Sequence, residues 1–170
     1  MSTDDLANWR DEGIVFDIRN QTWGQYAWAQ QVIDGTDGRF FMYYPAMRAR
    51  PGDKRSGTGV AVSDSITGPF TDAIGGPLIP CGDDPTVFRD DDGSVYLCGN
   101  CDGGAKCARL APNMTALASP FTQVDLPQWF EAPWLSKWRG TYYLSYMCSG
   151  DPGHGQGDFN HFGCGRGARV

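Results

Sequence analysis

Two phrases in this chain place carboxylates where acid–base chemistry needs them: Asp83-Asp84-Pro85-Thr86-Val87-Phe88, and Phe130-Glu131-Ala132-Pro133-Trp134-Leu135. Each sets acid ahead of a proline and a short apolar run. Two carboxylates meeting across a pocket are the equipment of glycoside hydrolysis, in which one carboxyl protonates the leaving oxygen. A glutamic acid that donates must hold its proton above the ordinary value of ~4.3. An ionised aspartate beside Glu131 raises it by like-charge repulsion, and partial burial against Trp134 adds to that. Blander readings stand beside these: Asp84 as a turn residue before Pro85, and Glu131 as a solvated loop charge.

The elements that must position the acids repeat along the chain. Asp90-Asp91-Asp92-Gly93 turns the first phrase into Ser94-Val95-Tyr96-Leu97, and Gly140 turns the second into Thr141-Tyr142-Tyr143-Leu144. A third copy runs from Trp28-Ala29-Gln30-Gln31-Val32-Ile33 through Gly38 to Arg39-Phe40-Phe41-Met42-Tyr43-Tyr44. The turn glycines lie 55 and 47 residues apart, and a repeat near ~50 residues with a hairpin in each copy signals a radially repeated β architecture. Alignment on those glycines makes Ala29, Asp84 and Ala132 equivalent if the third copy has a one-residue deletion. On the same condition it makes Trp28, Asp83 and Glu131 equivalent. The first strand of each propeller blade lines the central channel, so Asp84 and Glu131 are expected at one shared mouth. Trp28 and Trp134 flank those positions as candidate platforms for a sugar ring, with burial in the core as the competing reading.

The rest of the chain completes the pattern unevenly. Residues 6–18 read as a loop and one short strand, Gly13-Ile14-Val15-Phe16, resembling the outer strand of a blade whose earlier strands are absent. Residues 27–72 and 83–125 each read as a whole unit, and residues 129–148 as the first two strands of a third. The expected fold is all-β, an incomplete propeller of about two whole blades plus parts of two others. Residues 1–148 form that partial propeller domain. Residues 149–170 hold seven glycines and two histidines, and are expected to be disordered or outside the repeat. His154 and His161 gain no periodic support there, so they are not assigned to the chemistry.

Composition excludes several classes. The 170 residues carry a formal charge of −6, which argues against nucleic acid, whose phosphates need clustered Lys and Arg. No run of about 18 apolar residues occurs to span a membrane. No charged-then-apolar leader precedes Asp4-Asp5, so no signal peptide is visible. Among the six cysteines, Cys98-x2-Cys101-x5-Cys107 lacks the second pair or the histidines of a zinc site, and free or occasionally paired thiols are the simpler reading. Asp90–Gly93 does not match the alternating ligands of a calcium loop and reads as a hairpin turn. No metal and no cofactor are expected. The sequons at Asn20 and Asn113 would suit a secreted protein.

The chain resembles glycoside hydrolase family 43, five-bladed β-propeller enzymes acting on arabinose- and xylose-containing polysaccharides. Three phrases carry the resemblance over about residues 6–147: AWAQQV with GRFFMYYPA; GVAVSDSITGPFTD running through GGPLI to DDPTVFRDDDGSVYL; and FEAPWLSKWRGTYYLSY. Family members usually carry Pro where Gln30 stands. The resemblance implies that Glu131 is the general acid and that Asp84 tunes and orients it, with inversion at the sugar. It implies a further aspartate as base, which in the family lies on the first blade, before the point where this chain begins. Asp4, Asp5 and Asp11 do not occupy its phrase. The expected partner is an oligo- or polysaccharide of arabinoxylan or arabinan type, and the expected location is extracellular. The chain is therefore expected to carry acid and modulator without the base, and to be inactive alone. The alternative is a non-catalytic carbohydrate-binding propeller fragment that uses Trp28 and Trp134.

Overall fold

A computed structural model describes residues 1–48 and 56–149, and the backbone of residues 162–169. Three antiparallel sheets follow one another along the chain. The first is built on β3 (Phe40–Arg48), which pairs on one side with β1 (Gly24–Ala27) and β2 (Gln31–Asp34), and on the other with β4 (Ser56–Ser63), itself followed by β5 (Thr71–Asp72). The second runs β6 (Asp83–Arg89), β7 (Val95–Cys101), β8 (Gly104–Arg109) and β9 (Thr122–Val124) in chain order. The third runs β10 (Trp129–Trp138), β11 (Thr141–Ser149) and β12 (Phe162–Arg169). These are two four-layered blades and three strands of another, each begun by an inner strand and walking outward.

Alternation along the strands decides which face meets which neighbour. Phe41 and Tyr43 of β3 point toward the second sheet and join Val60, Ile79, Val87, Val95, Leu97, Leu110 and Met114 in one buried cluster. Met42, Tyr44, Ala46, Ala61 and Phe70 point the other way, into a second cluster. Because strand side chains alternate faces, this single strand feeds both cores. The Tyr43 hydroxyl spans the first seam, donating to the Met114 carbonyl at 2.7 Å.

Two sequence expectations are corrected here. Residues 13–16 form no strand. Instead Val15, Phe16, Ile18 and Trp23 lie across the outer cluster of the first sheet, and the Val15 carbonyl accepts from the Phe70 N–H at 2.7 Å. The alternation Ile14-Val15-Phe16 is too short to name a strand, and the single hydrogen bond from Phe70 does not extend into a ladder. The tail was expected to hold no strand, yet β12 pairs with β11 from Tyr143 opposite Arg169 to Ser149 opposite Phe162. Glycine-rich sequence weakens strand propensity, but ladder hydrogen bonds come from the backbone and need no apolar side chains. His154 and His161 lie outside the described residues.

The cysteines among the described residues are paired. Cys81, in the segment entering β6, bonds Cys101 at the end of β7, and Cys98 bonds its cross-strand neighbour Cys107. Cys148 is disulfide-bonded as well. Cys98, Cys101 and Cys107 thus belong to two separate bridges. Cys81 and Cys101 approach Asp102 closely, but their sulfurs are bonded to each other, so they are not thiolates that could hold a metal.

Candidate active site

The inner strands share one irregularity, and it builds the site. Between Asp83 opposite Asn100 and Thr86 opposite Cys98, β6 carries one residue more than its partner. β10 does the same between Glu131 opposite Met147 and Trp134 opposite Ser145. The gap between β1 and β2 is the same device, since Ala27 lies opposite Ala46 and Gln31 opposite Tyr43. Within each bulge one residue takes a left-handed backbone: Ala29 at φ 46°, Asp84 at 46° and Ala132 at 55°. These are the three positions that alignment on the turn glycines makes equivalent. A bulge bends the strand and re-aims the side chains around it. Pro85 and Pro133 follow directly, where a missing N–H takes little from the ladder.

The bulges bring the acids together. Asp84 Oδ2 accepts from the Ala132 N–H at 3.2 Å, which ties the second bulge to the third beside Glu131. Asp84 and Glu131 are both partly buried. Burial holds the Asp84 carboxyl above the ordinary aspartate range, the Asp83 charge adds to this, and the Ala132 N–H opposes it. Glu131 is likewise raised, first by burial and then by the charges of Asp84 and Asp83. Both causes disfavour the charged form of the two acids.

Asp83, at the position equivalent to Glu131, also belongs to the mouth. Its Oδ1 accepts from Trp28 Nε1 at 2.6 Å and from the Asp84 N–H at 2.9 Å. Trp28 is therefore half-buried at the edge of the mouth with its indole N–H engaged. Trp134 stands elsewhere. It is two residues past its bulge, 55 % exposed, on the face of β10 that Trp138 (64 % exposed) and Tyr143 share.

That place has a structural meaning in the other sheets. Gln31, two residues past the first bulge, clasps the next sheet: its Nε2 donates to the Val87 carbonyl at 3.1 Å and its Oε1 accepts from the Val87 N–H at 2.9 Å. Thr86, two past the second bulge, accepts from the Leu135 N–H of the third sheet at 3.3 Å. Val87 and Leu135 are themselves equivalent. A second set of clasps runs backward from the far end of each inner strand. Arg89 donates to the Asp34 carbonyl, and Lys137 reaches Asp90 and Asp91 of the preceding turn. Lys137 and the Tyr142 hydroxyl together hold Asp90 down to about 2, which explains the acidic turn as a seam anchor. None of Gln31, Thr86 or Lys137 stood out in sequence; the equivalence of positions past each bulge was the available signal.

The N-terminal aspartates are occupied by their own turn. Asp4 pairs with Arg10, Asp5 accepts from the Ala7 and Asn8 N–H groups, and Asp11 accepts from the Gly13 N–H.

Comparison with known proteins agrees with this geometry. Residues 1–160 match the model of glycosyl hydrolases family 43. The chain is 30 % identical over 187 residues to an arabinoxylan arabinofuranohydrolase of Bacillus subtilis (strain 168), covering 86 % of this chain and 34 % of that protein. It is 36 % identical over 115 residues to an extracellular endo-alpha-(1->5)-L-arabinanase of Thermotoga petrophila, covering 55 % of this chain and 24 % of that protein. A solved alpha-L-arabinofuranosidase from Clostridium thermocellum ATCC 27405 superposes with a TM-score of 0.75 at 31 % identity, over 98 % of this chain and 54 % of the other. The chain thus spans between about a quarter and a half of the proteins it matches. With a family match over nearly its whole length, and with the sheets and bulges of a β-propeller in the expected order, the chain belongs to glycosyl hydrolase family 43.

Proposed function

We propose that this chain is the acid-bearing part of a glycosidase that cleaves O-glycosidic bonds of arabinose- and xylose-containing polysaccharides with inversion. Glu131 is the general acid. Asp84 keeps it protonated and orients it, Trp28 is the aromatic face offered to sugar at the mouth, and Trp134 offers a second face from the exposed side of β10 beyond it. The observation that carries this reading is the hydrogen bond from the Ala132 N–H to Asp84 Oδ2, which locks the modulator against the residue after the acid. Two acids in one mouth, both raised by burial and by neighbouring charge, suit proton donation to a leaving oxygen. Neither Glu131 nor Asp84 is the base that activates water, and no other described residue is assigned to that role, so hydrolysis by this chain alone is expected to be slow.

Aryl arabinofuranosides and xylosides of graded leaving-group acidity test the assignment. Glu131→Gln should abolish turnover of poor leaving groups and spare a dinitrophenyl leaving group, which needs no proton. Equal loss on both refutes Glu131 as the acid. The Trp134 exposure favours a second reading, a sugar-binding fragment without catalysis. Titration with xylo- and arabino-oligosaccharides separates the two, because binding lost in Trp134→Ala but kept in Glu131→Gln and Asp84→Asn belongs to the second. The bridges Cys81–Cys101 and Cys98–Cys107, together with a relative whose name calls it extracellular, support a location in an oxidising compartment outside the cell.

A further inference from the structure

Asp83 is the carboxylate of the mouth that the reaction leaves without a task. No Lys or Arg among the described residues pairs with it, although it stands beside Asp84 and adds its charge against Asp84 and Glu131. A negative group placed among two other acids is costly unless something holds it. Two N–H groups do so, the Trp28 indole from the first sheet and the Asp84 main chain from its own bulge, both on Oδ1. Hydrogen bonds to an ionised acceptor are about twice as strong as neutral ones. A single oxygen therefore joins an aromatic ring on one sheet to the backbone of the modulator on the next.

We propose that Asp83 is a positioning residue, fixing the Trp28 indole at the edge of the mouth and holding the Asp84 main chain in its left-handed bulge, so that ring and acids are presented to one sugar. This rests on the glycosidase reading of the mouth. Left-handed backbone is costly for a non-glycine residue, and the Asp83 bond to the Asp84 N–H opposes that cost locally. Trp28 has several rotamers open to it once its N–H is released, and the bond to Asp83 Oδ1 selects among them. Among the described residues the charged groups acting on Glu131 are Asp84 and Asp83, so removing the Asp83 charge acts on the acid without disturbing another ion pair there.

The full 170-residue chain, labelled with 15N, reports the junction through its tryptophan indole resonances, with Trp28 identified by Trp28→Phe. Asp83→Ala should move the Trp28 indole proton upfield, and Asp83→Asn should restore it, because the amide oxygen still accepts. Asp83→Asn should also lower the titration midpoint of Glu131. Affinity for xylo- or arabino-oligosaccharide should fall about tenfold in Asp83→Ala, the equivalent of about 1.4 kcal/mol, and remain near wild type in Asp83→Asn. The Trp23 indole, bonded to Asp72 Oδ2 at 2.6 Å in the first sheet, serves as the folding control. A Trp28 resonance unmoved by Asp83→Ala while Trp23 also stays in place overturns the proposal. Should Asp83→Ala fail to fold, Trp28→Phe probes the same junction: a shifted Asp84 amide supports it, an unshifted one overturns it. If the parent chain binds no oligosaccharide, the glycosidase reading fails, yet the unliganded spectra still decide the role of Asp83.

Discussion

Gln31 holds the first seam by two hydrogen bonds to one residue, and replacing it with leucine tests whether that seam supports the mouth. Gln31→Leu keeps a forked side chain, one carbon shorter, and removes both polar atoms. The bonds to the Val87 N–H and carbonyl, at 2.9 and 3.1 Å, are each worth about 0.5–1.5 kcal/mol net. Val87 is nearly fully buried, so its main-chain groups are poorly placed to find water instead. Leucine recovers some of the loss through apolar contact, on the order of one kcal/mol for a half-buried position. The expected net destabilisation is up to about 2 kcal/mol, or a fall of up to about 8 °C in melting temperature for a chain of this size. Thermal unfolding followed by near-ultraviolet circular dichroism measures it, with Gln31→Glu at low pH as a control that keeps an acceptor. Because Trp28 precedes Gln31 by three residues, the same variant should weaken the Trp28–Asp83 bond and move that indole resonance. A melting temperature equal to wild type, with the resonance unmoved, would mean that the seam is held by apolar contact alone and that the repeated clasp is incidental.

Three further outcomes follow from the same geometry. Asp84 and Glu131 bind protons more tightly in the folded chain than in the unfolded one, so their contribution to stability is complete below the ordinary carboxylate range and is lost as pH rises through the raised values. Asp84→Asn should therefore be at least as stable as wild type at pH 7 and lose that advantage below about pH 4, as denaturant titrations at both pH values will show; greater instability at pH 7 contradicts the cause assigned to the shift. Ala29→Gly should relieve about 1–2 kcal/mol of left-handed strain against about 0.5–1 kcal/mol of added chain entropy, leaving the melting temperature level or slightly raised, while a clear fall would show that the Ala29 methyl packs. The double replacement Cys81→Ser with Cys101→Ser opens a bridge of sequence separation 20 and should cost about 3 kcal/mol, with the amide resonances of Asp83 and Asp84 broadened since Cys81 anchors their approach; sharp, unshifted resonances there refute that anchoring.

The sequence by itself determined the hairpins, their period and the family. Each hairpin is announced locally by a turn glycine between two runs of alternating residues, and local signals survive without knowledge of partners. Equivalence of Ala29, Asp84 and Ala132 was readable for the same reason, since spacing from Gly38, Gly93 and Gly140 is a property of the chain alone. The tertiary structure decided what those positions are for. A bulge exists only relative to the strand opposite, so the left-handed turn at Asp84 could not be read from Asp84. Gln31 and Thr86 look like ordinary polar residues until the next sheet brings a main-chain group to each. The bridges from Cys81 to Cys101 and from Cys98 to Cys107 depend on strand register, which spacing does not specify. The short segment 13–16 and the glycine-rich β12 went the opposite ways from their side-chain patterns, because a strand forms where an edge offers its backbone hydrogen bonds.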